Sequence, residues 1–449
     1  VTDQSQREPT LARNVNLPQL ALYGLGSMLG AGIYGLIGKA AGEMGNAVWL
    51  AFLVSMVAAL LTGLSYASLG SRYPRAGGAA YVTQRAYGWP LLTYLVGLTV
   101  MASGLTSVAT QSRVVAEALT RLPMLEGVPV MALALGFLLL IAGIVFRGIK
   151  ESMWVNMACT FMEAGGLLVV IAVGIPYWGG VDLLEVPPTT GGIDAAMILQ
   201  GAVLTFFSFI GFEDTFNVAE EVKDPQRTLP WAIIIAMAAA TVIYLAVAIT
   251  AVSVVPWQEL ATASGPLVEV VNRAAPWIPP VVFVVITVFA VSNTALLNYI
   301  MASRLAYGMA RLELLPRALG RVHAGRRTPH VAIATLLLIV TALMLSGDIA
   351  QLASATVLLL LAVFTIINIA LLILQRRPTE AKGVFEVPSF VPVGGAMICA
   401  LLFVNRLTTG DWKAPALAVG MLAGIVVLYL IMRPKCVDNL DNADEVTVD

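Results

Sequence analysis

Apolar residues fill this chain in runs of about 20, the length a helix needs to cross a bilayer. Twelve runs can be read, at 17–44, 46–70, 89–121, 127–146, 152–177, 195–219, 229–255, 277–311, 329–347, 349–375, 388–408 and 413–433. The period-2 alternation of an outer-membrane barrel is absent, and open sheet edges cannot be satisfied in lipid. The spans are therefore predicted as helices. The first and sixth runs are interrupted at depth. In the first, Gly30-Ala31-Gly32 sits near the middle, and Gly is a poor helix former. In the sixth, Phe207-Ser208-Phe209-Ile210-Gly211-Phe212-Glu213-Asp214 places a glycine and two carboxylates in an apolar run. A break inside a membrane frees backbone N–H and C=O groups, tolerated only against protein or a polar cavity. Such groups make a binding site, with half-helix N-termini facing anions and exposed carbonyls facing cations.

Breaks at matching depth, five spans apart, predict two five-helix units of opposite orientation, 17–177 and 195–375. Residues 1–16 then form a leader. Spans 388–433 fall outside the repeat as peripheral or homodimer helices, and 434–449 form an acidic, solvated tail. A short amphipathic run, Pro266 to Ala274, is expected outside the membrane.

Composition agrees with the pattern. The chain has 449 residues and is 59% hydrophobic and 12% charged, with a mean hydropathy of +0.86. Soluble domains carry about 25% charged residues, so the fold class is an all-α integral membrane protein. The net charge of -1 says less than where the charges fall. With the N-terminus inside, only Lys39, Arg113, Arg121, Arg273, Arg406 and Lys413 of the 26 Lys and Arg lie on or near the far side. That bias predicts both termini in the cytoplasm and an inner or plasma membrane location. The polar leader runs straight into a full span, so no cleavable signal peptide is expected. The 3 cysteines, Cys159, Cys399 and Cys436, argue against a disulfide scaffold, and the 2 histidines, His323 and His330, against a histidine metal site. Nucleophile–base sets and phosphate loops are not visible. The expectation is therefore not an enzyme, with no cofactor, no metal and no nucleic-acid partner.

Four segments in order resemble the amino acid–polyamine–organocation transporter superfamily over spans one to ten. They are Gly26-Ser27-Met28-Leu29-Gly30-Ala31-Gly32-Ile33; Pro74-Arg75-Ala76-Gly77-Gly78-Ala79-Ala80-Tyr81; Ser208-Phe209-Ile210-Gly211-Phe212-Glu213 followed by Ala219-Glu220-Glu221; and Ser303-Arg304 with Leu315-Pro316 and Thr328-Pro329. The resemblance implies a LeuT-like five-plus-five inverted repeat and secondary transport of amino acids or related amines. A zwitterion needs an anion site beside a cation site. The N–H groups around Gly30, Ala31 and Gly32, at the start of the inner half-helix, suit its carboxylate. The carbonyls near Met28, Phe207 and Ile210 suit its ammonium, and these positions match family residues with those roles. Phe207 either closes over the substrate, as an aromatic does in some relatives, or packs in the core.

The sharpest single residue is Glu163, almost central in span five with no basic residue within a turn. A charged carboxylate there costs a few kcal/mol or more, so it is protonated, paired or facing a wet cavity. It occupies the position where some proton-coupled relatives have a lysine, in place of the sodium of others. It is open to proton cycling, to holding a cation or amine, or to a structural hydrogen bond. Glu213, at the second break, is either a gating proton site or a hydrogen bonder to the broken backbone, while Asp214 is expected on another face. Ser292 and Thr294 are the candidate cation site, although such hydroxyls more often bond back to their own helix. Arg113 and Glu117 are expected to pair. Glu220, Glu221, Lys223 and Arg227 with Arg304 and Arg311 form either a cytoplasmic gate or solvated faces. The function expected is proton-coupled uptake of a neutral L-amino acid from the bilayer-embedded state, with proton rather than sodium as coupling ion. Alternatives are an amine or polyamine permease, an exchanger, and, from another class, a sensing receptor or channel.

Overall fold

The computed structural model of the chain describes residues 10–120, 125, 127–188, 192–263, 265–345, 349–409 and 412–434. Arg7, Arg121, Cys436 and the acidic tail lie outside them. The described residues are helical, with a single isolated bridge between Val15 and Val222. In order the helices are α1 (Leu17–Leu29), α2 (Ala31–Met44), α3 (Val48–Arg72), α4 (Gly78–Tyr87), α5 (Pro90–Leu119), α6 (Val130–Arg147) and α7 (Ile149–Gly174). There follow α8 (Ala195–Phe206), α9 (Asp214–Asn217), α10 (Pro225–Val254), α11 (Trp257–Thr262), α12 (Pro266–Ala274) and α13 (Pro280–Arg311). The last four are α14 (His330–Leu345), α15 (Ile349–Arg376), α16 (Phe390–Thr409) and α17 (Lys413–Met432). Ten segments among the described residues are long and apolar enough to cross a membrane, and α14 is a shorter apolar helix.

The outer surface is apolar, as lipid requires. Leu139, Trp154, Phe161, Leu338 and Ile431 are each more than half exposed, which water would not tolerate over a surface this large. Tryptophans mark the helix ends. Trp89, Trp154 and Trp231 lie at or within two turns of the starts of α5, α7 and α10, Trp178 follows α7, and Trp277 and Trp412 precede α13 and α17. Aromatic belts of this kind sit at the two headgroup levels.

The core packs α1 against α10 and α7, α5 against α13, and α3 against α10 and α8. Both discontinuities lie inside it. α1 opens with a capping box, Asn16 accepting from the Gln19 N–H and Gln19 returning to the Asn16 N–H. It stops at Leu29, because Gly30 leaves helical geometry at φ -44 and ψ -157. α2 runs on from the break toward the face opposite the leader. Its N-terminus therefore belongs, on a positive-inside orientation, to the outer half-helix and not to the inner one expected from sequence. The second break is longer. α8 ends in a 3₁₀ turn at Phe207–Phe209, and helix resumes only at Asp214.

Helix α4 falls between the apolar runs 46–70 and 89–121, outside every span that the sequence predicts. Ten mixed residues carry no spanning signal. The helix packs against α5 and α15, and its start lies close on α13: a Cβ on Gly308 would come 2.3 Å from the Gly77 backbone nitrogen. The amphipathic run at Pro266–Ala274 does form a helix, α12. Arg113 donates to the Met344 carbonyl oxygen. No ion pair with Glu117 occurs among the described residues, so that expected pairing is corrected.

Candidate functional site

The two breaks meet. Gly211 has φ +128, and a Cβ there would lie 2.8 Å from both the carbonyl carbon and oxygen of Ser27. Only glycine takes this conformation comfortably and lets the two backbones approach so closely. Side chains then lace the junction. The Ser27 hydroxyl donates to Asp214 Oδ2 at 2.6 Å, and the Gly211 N–H donates to Glu213 Oε2 at 2.8 Å. Tyr244 of α10 points its hydroxyl at the Met28 carbonyl (2.5 Å) and the Ser208 carbonyl (2.7 Å). One hydroxyl proton thus serves both breaks. Tyr244→Phe is expected to lower stability by about 1–3 kcal/mol, the cost of stranding a buried acceptor. A melt of the purified protein in detergent, beside wild type, reads this directly.

Between the breaks lies a cavity of about 260 Å³. The residues singled out from sequence come together there: Met28, Gly30, Gly32, Phe207, Ile210 and Glu213 all line it. Ala31 supplies the first turn of α2, whose N-cap, Gly30, has no side chain to satisfy the orphan N–H groups. Side-chain caps occur at α1 and at α8, where Asp194 accepts from the Met197 N–H at 2.7 Å; α3 to α7, α10 and α13 start without one, so what sets the α2 start apart is its place at the cavity wall. An uncapped helix N-terminus at a cavity wall is an anion site by construction. The Met28 carbonyl, by contrast, already accepts from Tyr244. From the breaks the cavity follows α5 from Val100 to Gln111, past the hydroxyls of Ser103, Ser107 and Thr110.

Asp214 also lines the cavity, although a helical face count placed it elsewhere. The count fails because residues 210–213 are not helical, so successive side chains do not rotate by a regular angle. Thr294 reaches the cavity wall, but its hydroxyl bonds back to the Ala290 carbonyl of its own helix at 3.2 Å. Ser292 is half-buried and does not line the cavity. The residue between them, Asn293, faces the other way.

Glu163 does not line the cavity. It sits fully buried on α7, with neither carboxyl oxygen hydrogen-bonded. The Asn293 amide lies beside it, and Asn293 Nδ2 donates to Thr160 Oγ1 at 3.0 Å. This cluster presses on α1 at Gly26. A Cβ on Gly26 would come within 2.3 Å of Thr160 Oγ1 and 2.5 Å of Asn293 Nδ2. Asn293 and Thr160 carried no signal that sequence alone could separate from ordinary membrane-helix polar residues.

At the end of the bundle where the leader lies, a buried ion pair and backbone pairing tie the segments together. Arg304 Nε and Nη2 grip the Glu221 carboxylate at 2.9 and 3.0 Å, both side chains fully buried. The leader pairs with the same segment, Val15 N–H to the Glu221 carbonyl (2.9 Å) and Lys223 N–H to the Val15 carbonyl (2.8 Å). Glu220 accepts from the Ala76 N–H at 3.1 Å. Of the charges grouped from sequence, Glu221 and Arg304 therefore form the lock, while Arg311 turns to the Tyr307 hydroxyl.

Comparison with known proteins agrees with this architecture. The amino acid permease family model matches residues 15–431. The chain is 30% identical over 455 residues to the methylthioribose transporter of Bacillus subtilis (strain 168), covering 95% of each chain. It is 27% identical over 457 residues to the branched-chain amino acid permease of the same organism, covering 95% of this chain and 94% of the relative. It is 30% identical over 396 residues to cationic amino acid transporter 4 of Mus musculus, covering 83% of this chain and 61% of the relative. With its broken helices, the cavity between them and a family match across nearly its whole length, this multi-pass membrane chain belongs to the amino acid permease family of the amino acid–polyamine–organocation superfamily.

Proposed function

We propose that the protein is a secondary active transporter that takes up neutral L-amino acids together with protons by alternating access. The observation that carries this is the meeting of two helix breaks around one cavity, with an uncapped half-helix at its wall. The substrate carboxylate binds the N–H groups of the α2 N-terminus, and its ammonium faces the broken backbone at Phe207 and Ile210 with Glu213 and Asp214 nearby. In this account α1–α2, α3, α5, α6 and α7 form one five-span unit. The α8–α9 span with α10, α13, α14 and α15 forms its inverted counterpart, and α16 and α17 bring the spans to twelve. Both termini are cytoplasmic, so the Glu221–Arg304 seal closes the inner side and the cavity belongs to an outward-facing form.

Proton coupling rests on Glu163. A buried carboxylate without a hydrogen bond is costly when ionised, so a neutral, protonated carboxyl fits the site as it stands. A proton moving down the membrane potential supplies about 2.3 kcal/mol per 100 mV. Sodium is the weaker candidate because Thr294 spends its hydroxyl on its own helix and Ser292 lies off the cavity.

A cationic amino acid or amine is the second reading, favoured by one feature. The cavity wall carries Glu213 and Asp214 but no Lys, Arg or His among the described residues, and one relative is a cationic amino acid transporter. Uptake into proteoliposomes separates the two. Labelled L-leucine should accumulate under an inward proton gradient, indifferent to sodium, and be displaced by neutral amino acids rather than by L-lysine, putrescine or methylthioribose. Accumulation of L-lysine or putrescine, with L-leucine neither transported nor competing, would replace the neutral substrate with a cationic one.

A further inference from the structure

We infer that Asn293 is a positioning residue for Glu163, an amide that turns over with the carboxyl's proton and passes the change through Thr160 to the first half of the broken helix. This rests on the proton-coupling proposal above and deepens it. The observation is a mismatch of donors and acceptors. Both Glu163 carboxyl oxygens, Asn293 Oδ1 and Asn156 Nδ2 are buried without hydrogen-bond partners, while Asn293 Nδ2 donates to Thr160 Oγ1 at 3.0 Å. The Asn293 amide lies beside the Glu163 carboxyl, and with Nδ2 on Thr160 its oxygen is left without a donor next to a group that, when ionised, can only accept. The other titratable groups facing Glu163 are Tyr34 of α2, whose hydroxyl donates to the Glu163 backbone carbonyl at 3.2 Å, Tyr244 of α10, and Cys159 on the same helix. None is a cation that would pair with a carboxylate.

One proton resolves the mismatch. Protonated Glu163 donates to Asn293 Oδ1, Asn293 Nδ2 donates to Thr160, and the Thr160 hydroxyl remains free to donate. Its two acceptors are Asn156 Oδ1 at 3.1 Å and the Leu22 carbonyl at 3.4 Å. When Glu163 ionises, the amide turns by half a rotation. Nδ2 then serves the carboxylate, Oδ1 takes the Thr160 proton, and Leu22 loses its donor. Leu22 lies on α1, one turn before Gly26, the point where Thr160 and Asn293 leave no room for a Cβ. The half-helix thus holds a hydrogen bond to α7 only while Glu163 is protonated. Ionisation releases one proton from Glu163, while the Asn293 amide and the Thr160 hydroxyl keep theirs and only reverse the direction of their hydrogen bonds.

Difference infrared spectra of the full-length protein across pH, without substrate, test the arrangement. A protonated-carboxyl band should vanish in Glu163→Gln and, in Asn293→Leu, move to the frequency of a carboxyl with no acceptor. Thr160→Val should keep the wild-type band. In proteoliposomes it should lower gradient-driven accumulation of labelled L-leucine or L-lysine about tenfold, the equivalent of one hydrogen bond, while leaving exchange intact. Should Asn293→Leu fail to fold, Asn293→Ser and Thr160→Val carry the same comparison. An unshifted band in the Asn293 variants, or wild-type accumulation in Thr160→Val, would overturn the relay. If Glu163→Gln keeps both the band and accumulation, proton coupling at Glu163 itself is wrong. If only Glu163→Gln loses them, coupling stands and the relay alone fails.

Discussion

Arg304→Ala is expected to cost about 3–5 kcal/mol of stability, because it strands the Glu221 carboxylate in a fully buried site. Both side chains are fully buried and joined by a two-pronged contact. The Glu221 backbone meanwhile receives N–H groups from Asn14 and Val15. Losing the ion pair therefore loosens the leader, the segment after the second break and α13 together. Glu221→Ala should do comparable harm. The double variant Glu221→Leu with Arg304→Met should recover much of the loss, since replacing both charges by apolar groups removes the desolvation cost as well. Melting curves in detergent measure all four proteins. Single variants with wild-type stability would show that this end is held by something other than the pair.

Gly211→Ala should abolish uptake. At φ +128 the new Cβ carries strain of about 1–3 kcal/mol before any contact is counted, and it would lie 2.8 Å from the Ser27 backbone. Neither side can yield cheaply. The second break is tied at Gly211 to Glu213 and at Ser208 to Tyr244, and the first is tied to Asp214 through Ser27. Relief must come by separating the breaks, which widens the cavity and misplaces the α2 N-terminus. Gly165→Ala on α7, where nothing lies within 4 Å, should leave uptake near wild type. Normal uptake by Gly211→Ala would mean that the breaks need not touch for transport.

Most of this architecture was legible in the sequence because a bilayer imposes a length on every span and penalises a break wherever it falls. Gly30 and Gly211 announce themselves as interruptions in runs that otherwise have every reason to stay helical. What could not be read was direction. Helices apolar on all sides carry no periodic face, so the sequence could not tell which of Ser292, Asn293 and Thr294 turns toward Glu163, or that Glu163 lies off the cavity wall. Asp214 was misplaced because counting faces presumes a helix through residues that form none. Arg113 illustrates the remaining limit: a partner one turn away is plausible by spacing, yet the Met344 carbonyl from a distant segment takes the contact. Helix α4 packs on α5 and α15 and meets α13 where Gly77 approaches Gly308, contacts that no local pattern contains.

The central claim is that a cavity between two helix breaks is driven by a proton on Glu163. It is tested most directly by uptake of labelled L-leucine into proteoliposomes of wild type and Glu163→Gln, with and without an inward proton gradient. Wild type should concentrate the substrate only with the gradient, while Glu163→Gln should still exchange it across the membrane and no longer concentrate it. Gradient-driven accumulation by Glu163→Gln at the wild-type level would contradict the account and return Glu163 to a buried structural acid.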